Sequence, residues 1–237
     1  MEVGPGHGEL TKELLSRGAR VIAVEKDKTL VLGLEKIFKE EIKSSQLKII
    51  ESDIRNISAG ELLPEGISKY KLVGNIPYYI TGFLLRSFLS RPPRPERIVF
   101  LVQKEVAERI TRSKKESLLS LSIKAYGTPK YIATVKAGSF SPPPKVDSAI
   151  LAIENITNPF SDPQEEKLFF EILRAGFSQK RKALLGNLSK EFNRKTLESV
   201  FERCDLNPKI RAEDISLNGW VCLVSSIKEN TPKASEV

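Results

Sequence analysis

The sequence predicts an α/β fold: a mostly parallel sheet covered on both faces by helices, followed by a small all-helical domain. Three observations carry that expectation. Short β-like runs alternate with helical stretches through the first 155 residues, the pattern of successive βαβ units. The chain opens on the glycine-rich turn Glu2-Val3-Gly4-Pro5-Gly6-His7-Gly8, which leads from a strand end into a helix. After the Asn/Pro/Ser/Asp-rich stretch 154–163, which reads as a linker, no strand pattern is convincing up to about Ile227.

Taken in order, a helix is expected over 9–17, a strand over Arg20 to Val24, a helix over 28–43 and a strand over Leu47 to Ile50. A strand from Tyr70 to Val73 leads through Asn75-Ile76-Pro77-Tyr78 into a helix over 81–89. A strand from Arg97 to Val102 is followed by helices over 104–112 and 116–126. The runs Tyr131 to Lys136 and Lys145 to Ile153 have only a loop between them and read as an antiparallel hairpin at the sheet's edge. Helices over 164–177, 180–190, 194–203 and 216–227 complete the second domain. The expected domains are therefore 1–155 and 164–228, with a polar, disordered tail over 229–237. No internal repeat is visible.

The 237 residues are 40% hydrophobic, enough for a real core. No run approaches the roughly 20 apolar residues of a membrane-spanning helix, and the N-terminus lacks the basic start and apolar stretch of a signal peptide. Localisation in the cytoplasm, no membrane partner and a monomeric chain are the expectations. Cys204 and Cys222 form no CxxC pattern and give no sign of an oxidising compartment, and His7 is the single histidine, so no metal site is expected. Net charge is +8, unevenly spread. Residues 1–60 balance to zero, whereas 86–115 hold nine basic residues against three acidic, and 174–195 hold seven against one. Concentrated positive charge is the footprint of a polyanion binder, although a solvated basic face accounts equally well for charge alone.

The motifs sit at strand ends. Gly4, Gly6 and Gly8 allow a tight turn and close backbone approach to a ligand, but the spacing is GxGxG rather than the GxGxxG of dinucleotide enzymes. Glu25 at the tip of the second strand is placed to accept from two ribose hydroxyls, of NAD or of S-adenosylmethionine (SAM) alike. For any one acidic residue there, a solvated charge is the commoner case. Asp53, after the third strand, is suited to accept from an adenine amine, with Ile54 packing on the ring. Ligands bind at this end of an open α/β sheet, and three successive strands ending in ligand-suited residues outweigh any one of them.

The fourth strand ends in Asn75-Ile76-Pro77-Tyr78. An exocyclic adenine amine is a poor nucleophile because its lone pair is delocalised into the ring. The Asn75 side-chain oxygen and the Ile76 carbonyl could hold its two hydrogens and favour a more tetrahedral nitrogen. Pro77 fixes the backbone, and Tyr78 offers a face on which a flipped base can stack. That is electrostatic preorganisation and positioning, with no need of metal or histidine. Alone, the segment would be an ordinary Asn-Pro turn; after the glycine loop, Glu25 and Asp53, in that order, it is not.

The chain resembles the KsgA-type ribosomal RNA small-subunit adenine N6,N6-dimethyltransferases. The matching segments, in order, are EVGPGHGELT (2–11), VEKD (24–27), SDI (52–54), GNIPYYIT (74–81), VQKEVAERI (102–110), FSPPPKVDSAIL (140–151), FSQKRKALLGNL (177–188) and RAEDISLNGW (211–220). The glycine loop is shared by many SAM enzymes; GNIPYYIT and PPPKVDS are far more specific. The resemblance implies a Rossmann-like class I SAM methyltransferase sheet with a C-terminal helical domain that docks RNA. It implies SAM as cofactor, 16S rRNA in the 30S subunit as partner, and a role in ribosome biogenesis. It places Gly4, Gly6, Glu25, Asp53, Ile54 and Asn75 at the cofactor, Asn75 with Ile76, Pro77 and Tyr78 at the reacting amine, and Tyr78 at the base. Phe140 is a candidate second aromatic wall, with a packed core Phe as the equal alternative. Lys180, Arg181 and Lys182, in one expected helical turn, are candidates for phosphate contact. Two departures stand out. The family carries a segment before the glycine loop, with a glutamine-asparagine-phenylalanine-leucine motif that closes over SAM, and the sequence as given starts after it. Tyr79 stands where the family has Asn.

Three other readings stay open on sequence alone. One is the related resistance methyltransferase acting on adenine in 23S rRNA, and another is a non-catalytic ribosome-assembly factor on the same fold. The third, an NAD-dependent oxidoreductase, predicts a GxGxxG loop and a catalytic acid that are not found.

Overall fold

The computed structural model describes residues 1–230. Two compact units arise: Met1–Glu108 with Tyr126–Thr157, and Arg109–Ala125 with the chain from Asn158 onward. In the first, β1 (Glu2–Val3), α1 (Glu9–Ser16), β2 (Val21–Glu25), α2 (Lys28–Ile37), α3 (Lys39–Lys43) and β3 (Leu47–Glu51) follow the expected order. They are succeeded by α4 (Ala59–Leu62), β4 (Lys71–Asn75), α5 (Thr81–Ser90), β5 (Arg97–Gln103) and α6 (Lys104–Thr111), the last running on across the boundary between the units. The helix α7 (Leu118–Lys124) belongs to the second unit, and β6 (Thr128–Val135) and β7 (Ser148–Glu154) return to the first. The second unit continues with α8 (Pro163–Gly176), α9 (Leu184–Leu188), α10 (Arg194–Arg203) and α11 (Leu217–Asn230).

The sheet runs β3-β2-β1-β4-β5-β7-β6. The five strands from β3 to β5 are parallel; β7 pairs antiparallel with β5 and with the edge strand β6, so the expected terminal hairpin is present. Burial explains the apolar strand sequences: on one face of the sheet the cross-strand partners Ile98 and Ile153, Phe100 and Leu151, and Val102 and Ala149 of β5 and β7 are inaccessible to solvent. The parallel strands place the C-terminal ends of β1, β2, β3 and β4 side by side.

Helix starts follow from short polar caps. Asp27 accepts from Thr29 N at 2.8 Å, and Asn193 accepts from Lys195 N at 3.0 Å and Thr196 N at 3.3 Å. Asp162 accepts from Glu165 N at 2.7 Å ahead of Pro163 in the first turn of α8.

Four differences from the sequence expectation have physical causes. The stretch 28–43 is two helices, because the buried Phe38 leaves helical geometry (φ −107°, ψ 36°). A Cβ on Gly8 would come within 2.6 Å of the Phe38 ring, so that glycine lets the ring pack against the loop. Helix α7, placed by the sequence in the first 155 residues, buries Leu121 in the helical core with Phe169, Leu173 and Trp220. Cys204 and Cys222, which no spacing rule pairs, form a disulfide with Cα atoms 5.9 Å apart, joining the end of α10 to α11.

The fourth difference concerns the basic segment. Residues 178–183 form a turn, and only Leu184–Leu188 is helical, so Lys180, Arg181 and Lys182 do not lie on a helix. Buried Asn187 holds that turn, donating from Nδ2 to Gly176 O at 2.7 Å and to Gln179 O at 3.1 Å. The tail expected to be disordered from 229 begins inside α11 for Glu229 and Asn230; residues 231–237 lie outside the described residues.

Candidate active site

The ends of β1 to β4 surround a cavity of about 170 Å³. Gly4, Glu25, Asp53, Ile54, Asn75 and Pro77 all line it, so six of the sequence candidates meet in one place. Ser52, Arg55, Lys26 and Tyr79 also line it and were not foreseen. The volume is below the roughly 300–1,000 Å³ typical of sites that enclose a whole drug-sized ligand, so the cavity has room for only part of such a ligand.

Gly4 has φ 65° and donates to Val24 O at 3.0 Å, tying the loop to β2; a Cβ on it would lie 3.8 Å from Asn75 O, in the space between two strand ends. Gly6 is not in the cavity wall but donates to Glu25 Oε2 at 3.3 Å. Glu25, only 7% exposed, also accepts at Oε1 from Lys26 N (2.9 Å) and Asp27 N (3.1 Å). A carboxylate has about four acceptor positions, so three bonds leave one vacant, beside the longest of the three. Glu25 is thus an anchor of the glycine loop, a role beyond the ribose contact expected from sequence, and it keeps one acceptor position open. The chemistry of this wall fits the nucleoside end of SAM.

Asp53 differs from expectation. Arg55, two residues on, donates to it from its backbone N at 3.0 Å and from its guanidinium at 2.5 to 3.1 Å. Those bonds hold the Asp53 carboxyl down at about 2. The carboxylate expected from sequence to meet an adenine amine is thus already engaged by Arg55, in a solvent-accessible pair of small energetic weight. We predict that Arg55→Ala returns the Asp53 titration toward 3.8, read by carboxyl NMR. The sign follows from linkage. A folded value below the ordinary one stabilises the fold above about pH 4, and the contribution fades as pH falls toward 2. Arg55→Ala should flatten that acid limb.

At the end of β4 the Asn75 side chain is exposed and makes no hydrogen bond with any described residue. Ile76 is buried in the core. Its carbonyl takes no part in the turn that follows, whose bonds run from Ile80 N to Pro77 O (3.1 Å) and from Thr81 N to Tyr78 O. Two acceptors on consecutive residues are thus unengaged. Half-buried Tyr78 begins the 3-10 turn Tyr78–Ile80, and its hydroxyl lies 2.8 Å from the Ser148 hydroxyl on β7, a partner 70 residues away. Tyr78 and the half-buried Phe140 are outside the cavity wall, while Tyr79, which the sequence treats as incidental, is 72% exposed at its rim.

The two basic segments differ. In 86–115, Arg94 donates to Leu89 O and Ser90 O, Arg97 pairs with Glu154, and Lys115 pairs with Glu213 and Asp214, so much of that charge is used internally. Lys180, Arg181 and Lys182 are exposed and have no ion pair among the described residues. Among those residues there is no group of three or more His, Cys, Asp or Glu that could hold a metal, and no helix is long and apolar enough to cross a membrane.

Similarity to known proteins agrees with this geometry. The family model for ribosomal RNA adenine dimethylase matches residues 1–229. The chain is 41% identical over 229 residues to the ribosomal RNA small subunit methyltransferase A of Dehalococcoides mccartyi, covering 94% of this chain and 77% of that protein. It is 36% identical to the protein of that name from a Synechococcus strain, over 100% of this chain and 83% of that one. A dimethyladenosine transferase from Plasmodium falciparum superposes with a TM-score of 0.80 at 24% identity, covering 96% of this chain and 89% of that one. The 23S rRNA methyltransferase ErmE superposes at 0.74 and 22% identity, with the same coverages. These two likenesses establish a class I methyltransferase sheet with a helical C-terminal region. The family match and the sequence identities go further: this chain belongs to the ribosomal RNA adenine dimethylase family.

Proposed function

We propose that the chain transfers methyl groups from SAM to N6 of two adjacent adenosines near the 3′ end of 16S rRNA in the 30S subunit. The product is N6,N6-dimethyladenosine, and the step belongs to ribosome biogenesis in the cytoplasm, with the enzyme acting as a monomer. The observation that carries this reading is the pair of unengaged acceptors on Asn75 and Ile76, at the strand end that borders the cavity.

SAM, when bound, supplies an electrophilic methyl on a sulfonium sulfur. Glu25 accepts from its ribose and Ile54 packs on its adenine, with Asp53 as the polar neighbour. Asn75 Oδ1 and the Ile76 carbonyl each accept one hydrogen of the target amine. That draws the nitrogen's lone pair out of the ring and fixes its direction, with the acceptors already in place before reaction. Pro77 makes the intervening backbone rigid, and Tyr78 stacks on the base.

Labelled methyl transfer to free 30S subunits, with 23S rRNA as a second substrate, tests the reading. Label in 16S rRNA alone is expected; label in 23S rRNA alone, or in neither, overturns it. Two further outcomes follow. Glu25→Ala should raise the SAM dissociation constant by about 10- to 100-fold in calorimetry, the loss of one charge-assisted hydrogen bond. Glu25→Gln keeps an acceptor for the loop and separates that effect from loosening of the glycine turn; unaltered affinity in both variants would remove Glu25 from the site. Replacing Lys180, Arg181 and Lys182 together by Ala should weaken rRNA binding and flatten its salt dependence by about one unit of log–log slope per lost phosphate contact. An unchanged slope would make them a solvated face.

A further inference from the structure

We propose that Asp147, which directly precedes β7, and Ser148, the first residue of that strand, form one clamp that sets the spacing of Tyr78 and Phe140, making Asp147 a positioning residue for methyl transfer. The inference rests on the functional reading above, in which Tyr78 stacks on the target base, and takes Phe140 as the candidate second aromatic wall.

Ser148 is fixed from both sides. It is fully buried, and its Cα partners are Gln103 in β5 and Val135 in β6. From that position its hydroxyl holds the Tyr78 hydroxyl at 2.8 Å. Asp147 is anchored next to it by its own carbonyl, which accepts from Lys104 N at 3.0 Å. Its side chain faces the loop between β6 and β7: Oδ1 accepts from Ala137 N at 3.1 Å, and Oδ2 pairs with Lys136 Nζ at 3.1 Å. The 3-10 turn Ala137–Ser139 then closes on itself, with Ser139 N donating to Lys136 O (2.9 Å) and Phe140 N to Ala137 O (3.2 Å). Among the described residues, the two bonds from the Asp147 carboxylate are the only hydrogen bonds or ion pairs that tie residues 136–146 to anything outside that stretch. The same two contacts hold the carboxyl below its ordinary range, the Ala137 N–H foremost. One residue thus places the Phe140 loop and the next places Tyr78, on a strand start that the ladder does not let move. A misplacement of about 1 Å at a reacting centre can cost on the order of 10²-fold in rate, so a loop with a single polar tether is a sensitive place to cut.

Three variants test the clamp in methyl transfer to 30S subunits. Asp147→Ala should lower kcat by roughly 10- to 100-fold with SAM affinity unchanged, because the cofactor wall is elsewhere. Ala137→Pro removes the donor of the same bond without touching Asp147. The preceding Lys136 has ψ 145° and Ala137 opens the turn, both compatible with proline. It should reproduce the loss, and the double variant should lose no more than either alone. Asp147→Asn, whose amide oxygen still accepts from Ala137 N, should recover most of the rate. If Asp147→Ala does not fold, the other two variants decide. Wild-type kcat in Ala137→Pro, additive losses, or no recovery with Asn would overturn the clamp while leaving the functional reading intact. A wild-type chain that methylates nothing in 30S would instead overturn the functional reading.

Discussion

Asn75→Ala is expected to lower the rate of methyl transfer on the order of 10²-fold or more, the scale of removing one preorganised polar group from a reacting centre. RNA affinity should change little, because phosphate contacts dominate it and the open basic turn lies in the other unit. A modest loss of SAM affinity is expected too, since Asn75 lines the cavity with Gly4 and Glu25. The Asn75 side chain makes no hydrogen bond with any described residue, so its removal orphans no internal partner and the variant should fold normally. The second transfer is the sharper readout. A monomethylated amine has one hydrogen left, so only one of the two acceptors can be used and the pocket must admit the first methyl. The variant should therefore stop at a different ratio of mono- to dimethyladenosine. Wild-type dimethylation at wild-type speed would remove the amine-holding role.

Tyr78→Ala should be comparably severe in transfer rate, with roughly 1–3 kcal/mol of stacking lost. Sequence alone predicts that Tyr78→Phe is mild, because stacking uses the ring and not the hydroxyl. The structure changes that expectation. The hydroxyl is bonded to Ser148, which is fully buried, so phenylalanine leaves a buried hydroxyl without its partner at a cost of about 1–3 kcal/mol. Tyr78→Phe should therefore bind RNA normally but show a lower melting temperature and an intermediate rate. Adding Ser148→Ala should restore part of the stability, since an apolar pair of similar shape replaces the broken one. A Tyr78→Phe variant identical to wild type in both measurements would mean that the hydroxyl contact carries nothing.

What was legible in the sequence follows from the range of the interactions. Strand ends could be read because a parallel strand buried on both faces is a short apolar run that stops abruptly. Gly4, Glu25, Asp53 and Asn75 all stand at such stops. Helix starts at Asp27, Asp162 and Asn193 were likewise written in one or two residues each. The break at Phe38 was not legible, because no proline or glycine marks it and the cause is a ring packing near Gly8, thirty positions earlier in the chain. Nor was the turn at 178–183, where local propensity favours helix but Asn187 holds the carbonyls of Gly176, at the end of α8, and of Gln179, in the turn. At the site, Arg55 escaped notice because an acidic residue and an arginine two positions apart carry no signature, yet it occupies the carboxylate expected to meet adenine. Contacts such as Tyr78 with Ser148 depend on the sheet order, which brings β7 beside β5, and no local pattern states that.

The most direct test is mass spectrometry of 16S rRNA fragments after incubating unmethylated 30S subunits with this protein and SAM. Two adjacent residues near the 3′ end, each carrying two added methyl groups on N6, are predicted, and both should be depleted when Asn75→Ala replaces the wild type. Methylation at another base, a product that stops at one methyl per adenosine in the wild type, or no methylation at all would contradict the account.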